Sequence, residues 1–113
     1  MASNLLGKIY DHFEELTDPR QNRGGNYPLL EMVFVALCAT ICDANSWADV
    51  ARFGRAKLDW FRQHLPFELG VPSHDTFSRV FARLDTVEFY AALESWGNSI
   101  AHSLKGETVA FDG

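Results

Sequence analysis

One carboxylate stands apart in this sequence because of the residues that precede it. Asp112 follows "ETVAF" at 107–111, a short β-prone run and the only strand signal in the chain. A carboxylate at a strand end is a common metal ligand, and two-metal phosphoryl-transfer sites combine acids from separate elements. A single acid holds no such pair of metals. From the residues alone, Asp112 is most simply an ordinary polar residue at the end of a strand.

A second candidate site is a helix that begins after a turn at Gly70 and Pro72. Ser73 is a good helix cap, and an apolar stripe at helical spacing follows it, formed by Phe77, Val80, Phe81 and Leu84. Such a stripe is typical of a helix with one buried face. The pattern predicts a helix over 73–84 that is fixed on the protein body by this face.

The opposite face of this helix has the residue types that read DNA. It presents His74, Asp75, Ser78, Arg79 and Arg83. A helix held by its inner face can enter the major groove and offer arginine and serine to bases and phosphates. Ser78, Arg79 and Arg83 are therefore candidate DNA contacts. The alternative, which spacing alone favours, is a solvated face on which Asp75 and Arg79 pair.

Further basic residues could contact phosphates. The segment before this helix supplies Arg52, Arg55, Lys57 and Arg62, and the polar loop "DPRQNRGGNYP" supplies Arg20 and Arg23. The loop lacks the GxxxxGK[ST] spacing of a phosphate-binding Walker loop. An ordinary connecting loop is the simpler interpretation of that stretch.

Other kinds of site find little support in the sequence. The four histidines, at 12, 64, 74 and 102, are scattered, and none has metal-ligand spacing with an acid or a cysteine. Ser73, His74 and Asp75 are adjacent on one helical turn, so they point in different directions and form no catalytic triad. We expect no metal, cofactor or small-molecule substrate for this chain by itself.

The elements that position these residues are helices. Apolar periodicity and cap signals predict an all-α domain of five or six helices with a helix-turn-helix-like element. The predicted helices cover residues 4–16, 29–43, 46–54, 57–65, 73–84 and 85–104. Ser46 and Asp85 are expected caps, with Asp49 and Glu88 completing capping boxes. Residues 106–113 then form an isolated strand, which separates a helical region at 1–105 from the C-terminal segment.

The distribution of charge is more informative than its total. The 113 residues carry a net charge of −5, which does not favour nucleic-acid binding. Residues 52–83, however, contain six Lys or Arg and only three Asp or Glu. The middle third is thus locally basic within an acidic chain.

The cysteines and the apolar stretches of the sequence indicate the cellular compartment of the protein. Cys38 and Cys42 form no disulfide framework and are expected to be small buried side chains. The most apolar stretch, residues 29–42, is shorter than the roughly 20 residues of a membrane span. The sequence shows no evident signal peptide and favours a cytoplasmic protein that does not enter a membrane.

Four motifs together resemble one protein family. They are DPR-x-x-R-G at 18–24, S-W-x-D at 46–49, P-S-x-D-T-F at 72–77, and the closing apolar-Asp-Gly. From residue 18 to residue 113 the chain resembles the N-terminal part of insertion-sequence transposases that include the H-repeat-associated proteins. In that family a helical N-terminal region precedes a DDE catalytic domain of RNase H-like fold.

The resemblance implies roles for both ends of the chain. Asp112 matches the family's first catalytic acid, which ends the first strand of the catalytic domain. The remaining Asp and Glu, and the Mg²⁺ or other divalent metal of the full-length parent, are then expected beyond this chain, which alone cannot cut or join DNA. Residues 1–105 are expected to bind double-stranded DNA at transposon ends.

Two alternatives remain open at this point. In the first, the helical region is an interaction module that mediates self-association, as in a homodimer, or packs on the catalytic domain without touching DNA. A free-standing regulator or a decayed remnant of a truncated element is a third possibility.

Overall fold

The computed structural model describes residues 9–20 and 26–107. Within these residues it contains helices and no strand, which confirms the all-α prediction. The helices are α1 (residues 9–13), α2 (Leu29–Ile41), α3 (Trp47–Ala56), α4 (Leu58–Phe61), α5 (His74–Arg83) and α6 (Thr86–Glu107). They belong to two compact units, Asp18–Leu84 and a unit built from Met1–Thr17 and Asp85–Gly113.

Helix α2 is the centre of the Asp18–Leu84 unit. It is apolar around most of its circumference, and a helix of that kind is stable only when it is surrounded. Met32, Val33, Phe34 and Val35 are at most 1% exposed. The sequence prediction of a buried core helix is confirmed, and no described helix is long and apolar enough to cross a membrane.

Phe61 in α4 is the hub of an aromatic cluster beside α2. Its ring centroid lies 5.1 Å from that of Phe34, 5.4 Å from that of Phe67 and 6.0 Å from that of Phe53. Edge-on and tilted aromatic contacts of this kind add to the free energy gained by burying apolar area. One side chain thus joins α2, α3, α4 and the segment after α4.

The other unit pairs α1 with α6. Phe13 is buried, and its ring lies 6.0 Å from that of Phe89 and 6.3 Å from that of Trp96. Both the backbone N–H and the hydroxyl of Thr17 donate to the carboxylate of Glu88. The two ends of the described chain therefore form one helical unit of their own.

The structure confirms the predicted cap residues but not the two predicted capping boxes. Ser46 accepts from the N–H of Asp49, Ser73 from that of Thr76, and Asp85 from those of residues 87 and 88. Both predicted capping boxes are wrong. The carboxylate of Asp49 accepts from the N–H of Asn45 and not from that of Ser46, and the carboxylate of Glu88 accepts from Thr17.

Three further sequence expectations need correction or lie outside the described residues. Helix α6 continues through Gly106 to Glu107, three residues past its predicted end at Leu104. The rest of the predicted strand, at 108–111, lies outside the described residues. Cys38 is half-buried, which is less than the predicted full burial, and this burial raises the pKa of its thiol to about 12. Cys42 is exposed, so its predicted burial is wrong.

Candidate nucleic-acid interface

Helix α5 is held on α3 by stacked aromatic rings. Trp47 at the start of α3 lies parallel to Phe77, with the ring planes 7° apart and the centroids 5.9 Å apart. The centroid of Phe81 lies 4.8 Å from that of Trp47. Phe77, Val80 and Leu84 are buried. The predicted inner stripe of this helix is confirmed, and it leaves the opposite face of α5 at the surface.

The three predicted contact residues on the outer face of α5 differ in exposure and in their partners. Ser78 is half-buried, whereas Arg79 and Arg83 are exposed. The guanidinium of Arg79 lies 3.3 Å from the Asp75 carboxylate, in the i,i+4 pair that the solvated-face interpretation predicts. An exposed pair of this kind contributes little to stability, so Arg79 can leave it at small cost. Arg83 donates to the backbone carbonyl of Pro19 at 2.9 Å.

The α3–α5 pair differs from a standard helix-turn-helix in its connection. Residues 57–73 join the two helices and include α4. A helix-turn-helix joins its helices with a turn of three or four residues. In this pair α3 supports α5, as the first helix of a helix-turn-helix supports the second, but the short connecting turn is missing.

Helix α3 exposes a second set of cations. Arg52 is exposed and lies 2.9 Å from the Asp49 carboxylate. Arg55 and Lys57 are exposed, and their side chains form no ion pair within the described part of the chain. An unpaired surface cation binds a phosphate without first giving up a protein partner. Among the predicted contacts on α3, Arg55 is the best placed to bind an anion.

Two other predicted phosphate contacts, the half-buried Arg20 and the exposed Arg62, already have partners within the Asp18–Leu84 unit. Arg20 donates to both carboxylate oxygens of Asp18, at 2.9 and 2.7 Å, in a pair whose side chains are 12% and 13% exposed. Arg62 donates through two nitrogens to the backbone carbonyl of Phe67, at 3.3 and 3.1 Å. Each guanidinium thus has a structural partner. Arg23 and Asp112, the remaining predicted site residues, lie outside the described residues.

The segment that leads into α5 is anchored by a carboxylate that sequence reasoning missed. Glu31 in α2 is 6% exposed, and one of its oxygens accepts from the N–H of Phe67 at 2.9 Å. Its other oxygen has no partner among the described residues. Burial raises the pKa of Glu31, the hydrogen bond from Phe67 lowers it by less, and the nearby charge of Glu68 raises it again. Phe67 has a φ of +48°, a backbone conformation that this anchor helps to hold.

Glu31→Gln is expected to make stability less dependent on pH. The raised pKa means that the folded chain holds the carboxyl proton more tightly than the unfolded chain does. The stabilisation linked to this proton is complete below the ordinary pKa of 4.5 and is lost as the pH rises through the folded-state pKa. Glutamine keeps the acceptor for Phe67 and carries no charge, so the variant should gain stability over the wild type as the pH rises. Urea unfolding from acidic to neutral pH measures this difference.

The control for that experiment is Glu94→Gln, which removes an exposed carboxylate from α6 and does not touch Phe67. Wild-type and Glu31→Gln stability curves that run parallel across the whole pH range would contradict a raised pKa of Glu31 in the folded chain.

Charge is divided unequally between the two units. The sequence of the Asp18–Leu84 unit contains eight Lys or Arg and seven Asp or Glu. The other unit contains two Lys and eight Asp or Glu. The net charge of −5 therefore arises from the α1–α6 unit. The unit that carries α3 and α5 is slightly positive, so the overall charge is no argument against anion binding by those helices.

Histidines and acids are not gathered into a metal centre in the described part of the chain. The residues that the structure describes contain no group of three or more His, Cys, Asp or Glu that could hold a metal ion. His12 hydrogen-bonds to Ser95 at 2.7 Å, and His64 packs against Trp60. His74 is an exposed residue at the start of α5, as predicted.

Known proteins with similar sequences include several transposases. The chain is 41% identical to an uncharacterized protein from the dhlA 3′ region of Xanthobacter autotrophicus, over 99% of this chain and 39% of that protein. It is 31% identical to the H repeat-associated putative transposase YhhI of Escherichia coli K12, over 96% of this chain and 29% of that protein. It is also 35% identical to the inactive transposase YbfQ of the same organism, over 69% of this chain and 93% of that protein.

The chain thus spans well under half of the first two relatives. No solved structure matches it significantly. The family model described as DDE_Tnp_1-associated matches residues 10–97, which include every described helix except the ends of α1 and α6. The chain therefore belongs to the DDE_Tnp_1-associated family, the domain that accompanies DDE transposases.

Proposed function

We propose that this chain is the N-terminal accessory region of a DDE transposase and that its Asp18–Leu84 unit binds double-stranded DNA at transposon ends. The observation that carries the proposal is the separation of charge between the units. The acidic excess lies in the α1–α6 unit, while exposed cations cluster on α3 and α5. Phosphate neutralisation by such cations supplies most of the affinity of non-specific DNA binding.

The two helices have different roles in this proposal. Arg79 and Arg83 on α5 face outward, as a recognition helix requires, and Ser78 borders them. Arginine on base edges discriminates between sequences. Arg52 and Arg55, with Lys57, contact the phosphate backbone and set the orientation of α5. Arg20 and Arg62 would reach phosphate only after leaving their internal partners, so they contribute less.

Catalysis is assigned to the parent protein and not to these 113 residues. Asp112 corresponds in this proposal to the first acid of a DDE triad. A two-metal site needs several acids brought together from separate elements, and the second Asp and the Glu would lie outside this sequence. The divalent metal of the parent, Mg²⁺ or a similar ion, would neutralise charge at the transferred phosphate. The cytoplasm remains the expected compartment.

The alternative function, protein interaction, is favoured by a different surface. The α1–α6 unit has exposed apolar side chains at Tyr10, Val87 and Tyr90, which are 51%, 78% and 65% exposed. No Lys or Arg lies in residues 9–17 or 85–102. An acidic surface with exposed aromatic groups suits a protein partner better than DNA. Sedimentation of the wild type and of a Val87→Ser/Tyr90→Ser variant tests whether this surface joins two copies.

An Arg79→Ala/Arg83→Ala double variant is expected to lose preference for transposon-end DNA. Each well-formed arginine–base contact is worth about 1–3 kcal/mol of discrimination, so the preference over a scrambled duplex should fall by about ten-fold or more. Band-shift titration with both duplexes measures it. The matched control, Arg79→Lys/Arg83→Lys, keeps the charge but not the planar two-donor geometry.

The control should therefore retain most of the overall affinity while losing discrimination. Equal affinity and equal preference for the wild type and the alanine double variant would remove α5 from the recognition role.

A further inference from the structure

Trp60 is the most accessible of the three tryptophans. Trp96 is 6% exposed, and Trp47 is half-buried and stacked on Phe77. Trp60 is 38% exposed. An indole is large and apolar, so exposing it to water is unfavourable unless it is later covered. This exposure separates Trp60 from the tryptophans that serve the two cores.

The ring of Trp60 packs against three other rings of the Asp18–Leu84 unit. Its centroid lies 4.7 Å from that of His64, 5.2 Å from that of Phe61 and 6.0 Å from that of Phe34. The backbone on either side is also fixed, because the N–H of Phe61 donates to the carbonyl of Lys57 and that of Gln63 to the carbonyl of Trp60. A ring held in this way loses little conformational freedom when a ligand covers it.

The neighbours of Trp60 on this helical turn are suited to a nucleotide. Lys57 lies three residues before Trp60, at the residue that precedes α4, and Gln63 lies three residues after it, in the turn that follows α4. Both are exposed, and Lys57 has no ion-pair partner within the described part of the chain. An ammonium group binds phosphate, an aromatic face stacks a base, and an amide hydrogen-bonds a base edge.

The positive charges near Trp60 indicate which class of ligand this surface binds. An exposed tryptophan can also anchor a protein partner, but Lys57 and the nearby Arg55 on the same segment favour a polyanion. In an intact duplex the base faces are covered by their neighbours, so only an unpaired strand offers a face for stacking. Charge and ring together point to single-stranded DNA.

We propose that Trp60, with Lys57 and Gln63, forms a stacking site for an unpaired base of a DNA strand that extends from the bound duplex. This inference rests on the proposed DNA-binding function, to which it adds a preference for ends that carry an unpaired strand. Trp60 stacks the base, Lys57 contacts an adjacent phosphate, and Gln63 contacts the base edge.

The test compares one blunt duplex with the same duplex carrying a short single-stranded extension. Binding is measured by fluorescence anisotropy of labelled DNA at low salt. The extension should strengthen wild-type binding by about ten-fold, since stacking on an aromatic side chain contributes about that factor or more per base. Trp60→Ala should lose this gain while binding the blunt duplex as the wild type does. Trp60→Phe should keep part of the gain, and Trp47→Phe should keep all of it.

A second measurement covers the case in which Trp60→Ala does not fold. The Trp47→Phe/Trp96→Phe variant leaves Trp60 as the only tryptophan, and the extended duplex should quench its fluorescence more than the blunt duplex does. Equal binding of the two duplexes by the wild type, or equal quenching, overturns the stacking site and leaves the proposed function intact. If the wild type binds neither duplex, both the stacking site and the proposed DNA-binding function are overturned.

Discussion

Phe61→Ala is expected to lower the free energy of unfolding of the Asp18–Leu84 unit by about 3–5 kcal/mol, the usual cost of removing a buried phenylalanine ring. Phe61 is fully buried, and its ring contacts Phe34, Phe53 and Phe67. Its removal leaves a cavity where α2, α3, α4 and the segment toward α5 meet. Urea unfolding followed by circular dichroism measures the loss.

The control for Phe61→Ala is Tyr90→Ala, which truncates a 65% exposed ring in the other unit. Substitutions at exposed positions usually change stability by no more than about 0.5 kcal/mol. If Phe61→Ala cost no more than this control, the aromatic cluster would not be the centre of the unit.

Alanine substitutions at two helical glycines are expected to change the free energy of unfolding in opposite directions. A Cβ at Gly54 would lie 2.8 Å from a Val71 methyl and 3.0 Å from a Val35 methyl, too close for either stiff side chain to accommodate without a shift. Overpacking of this kind costs about 1–3 kcal/mol. A Cβ at Gly97 would meet no atom of another described element within 4 Å. There, alanine should stabilise α6 by about 0.5–1 kcal/mol, because glycine is the poorer helix former.

Unfolding midpoints of both variants in the same denaturant give the comparison. The two substitutions add the same methyl group and the same helix propensity, so the difference between them isolates the close approach of α3 to its neighbours. A stabilising Gly54→Ala would contradict the packing of α3 on Val35 and Val71.

Local features of the fold could be predicted because their causes are local. The start of α5 follows from a serine whose hydroxyl accepts a backbone N–H three residues on. Its buried face follows from apolar residues at helical spacing, and the burial of α2 from a run with almost no polar side. Each of these signals lies within one stretch of sequence.

The remaining features depend on which distant segments meet. Glu31 appears in the sequence as one acid in an apolar helix, and only the fold brings the N–H of Phe67 to it. The partners of Arg62 and Arg83 are backbone carbonyls at Phe67 and Pro19, and spacing carries no information about those contacts. The capping role predicted for Glu88 failed for the same reason, because Thr17 takes its carboxylate.

The division of charge also required the structure. From the sequence, the acidic total argues against DNA binding, and the basic middle third is only a local excess. Once the two chain ends are seen to form a separate unit, most of the acidic excess is assigned to it. Arg55 and Arg79 then lie on the unit that carries the positive charge, which makes the DNA-binding hypothesis consistent with the composition.

The most direct test of the central claim is the salt dependence of binding to a blunt DNA duplex. For a surface that neutralises phosphates, the logarithm of the binding constant falls linearly with the logarithm of salt concentration, by about 0.9 for each contact. We predict such a line for the wild type and a slope shallower by about one contact for Arg55→Ala, with Glu94→Gln leaving the slope unchanged. No measurable binding at low salt, or identical slopes for Arg55→Ala and the wild type, would contradict the account.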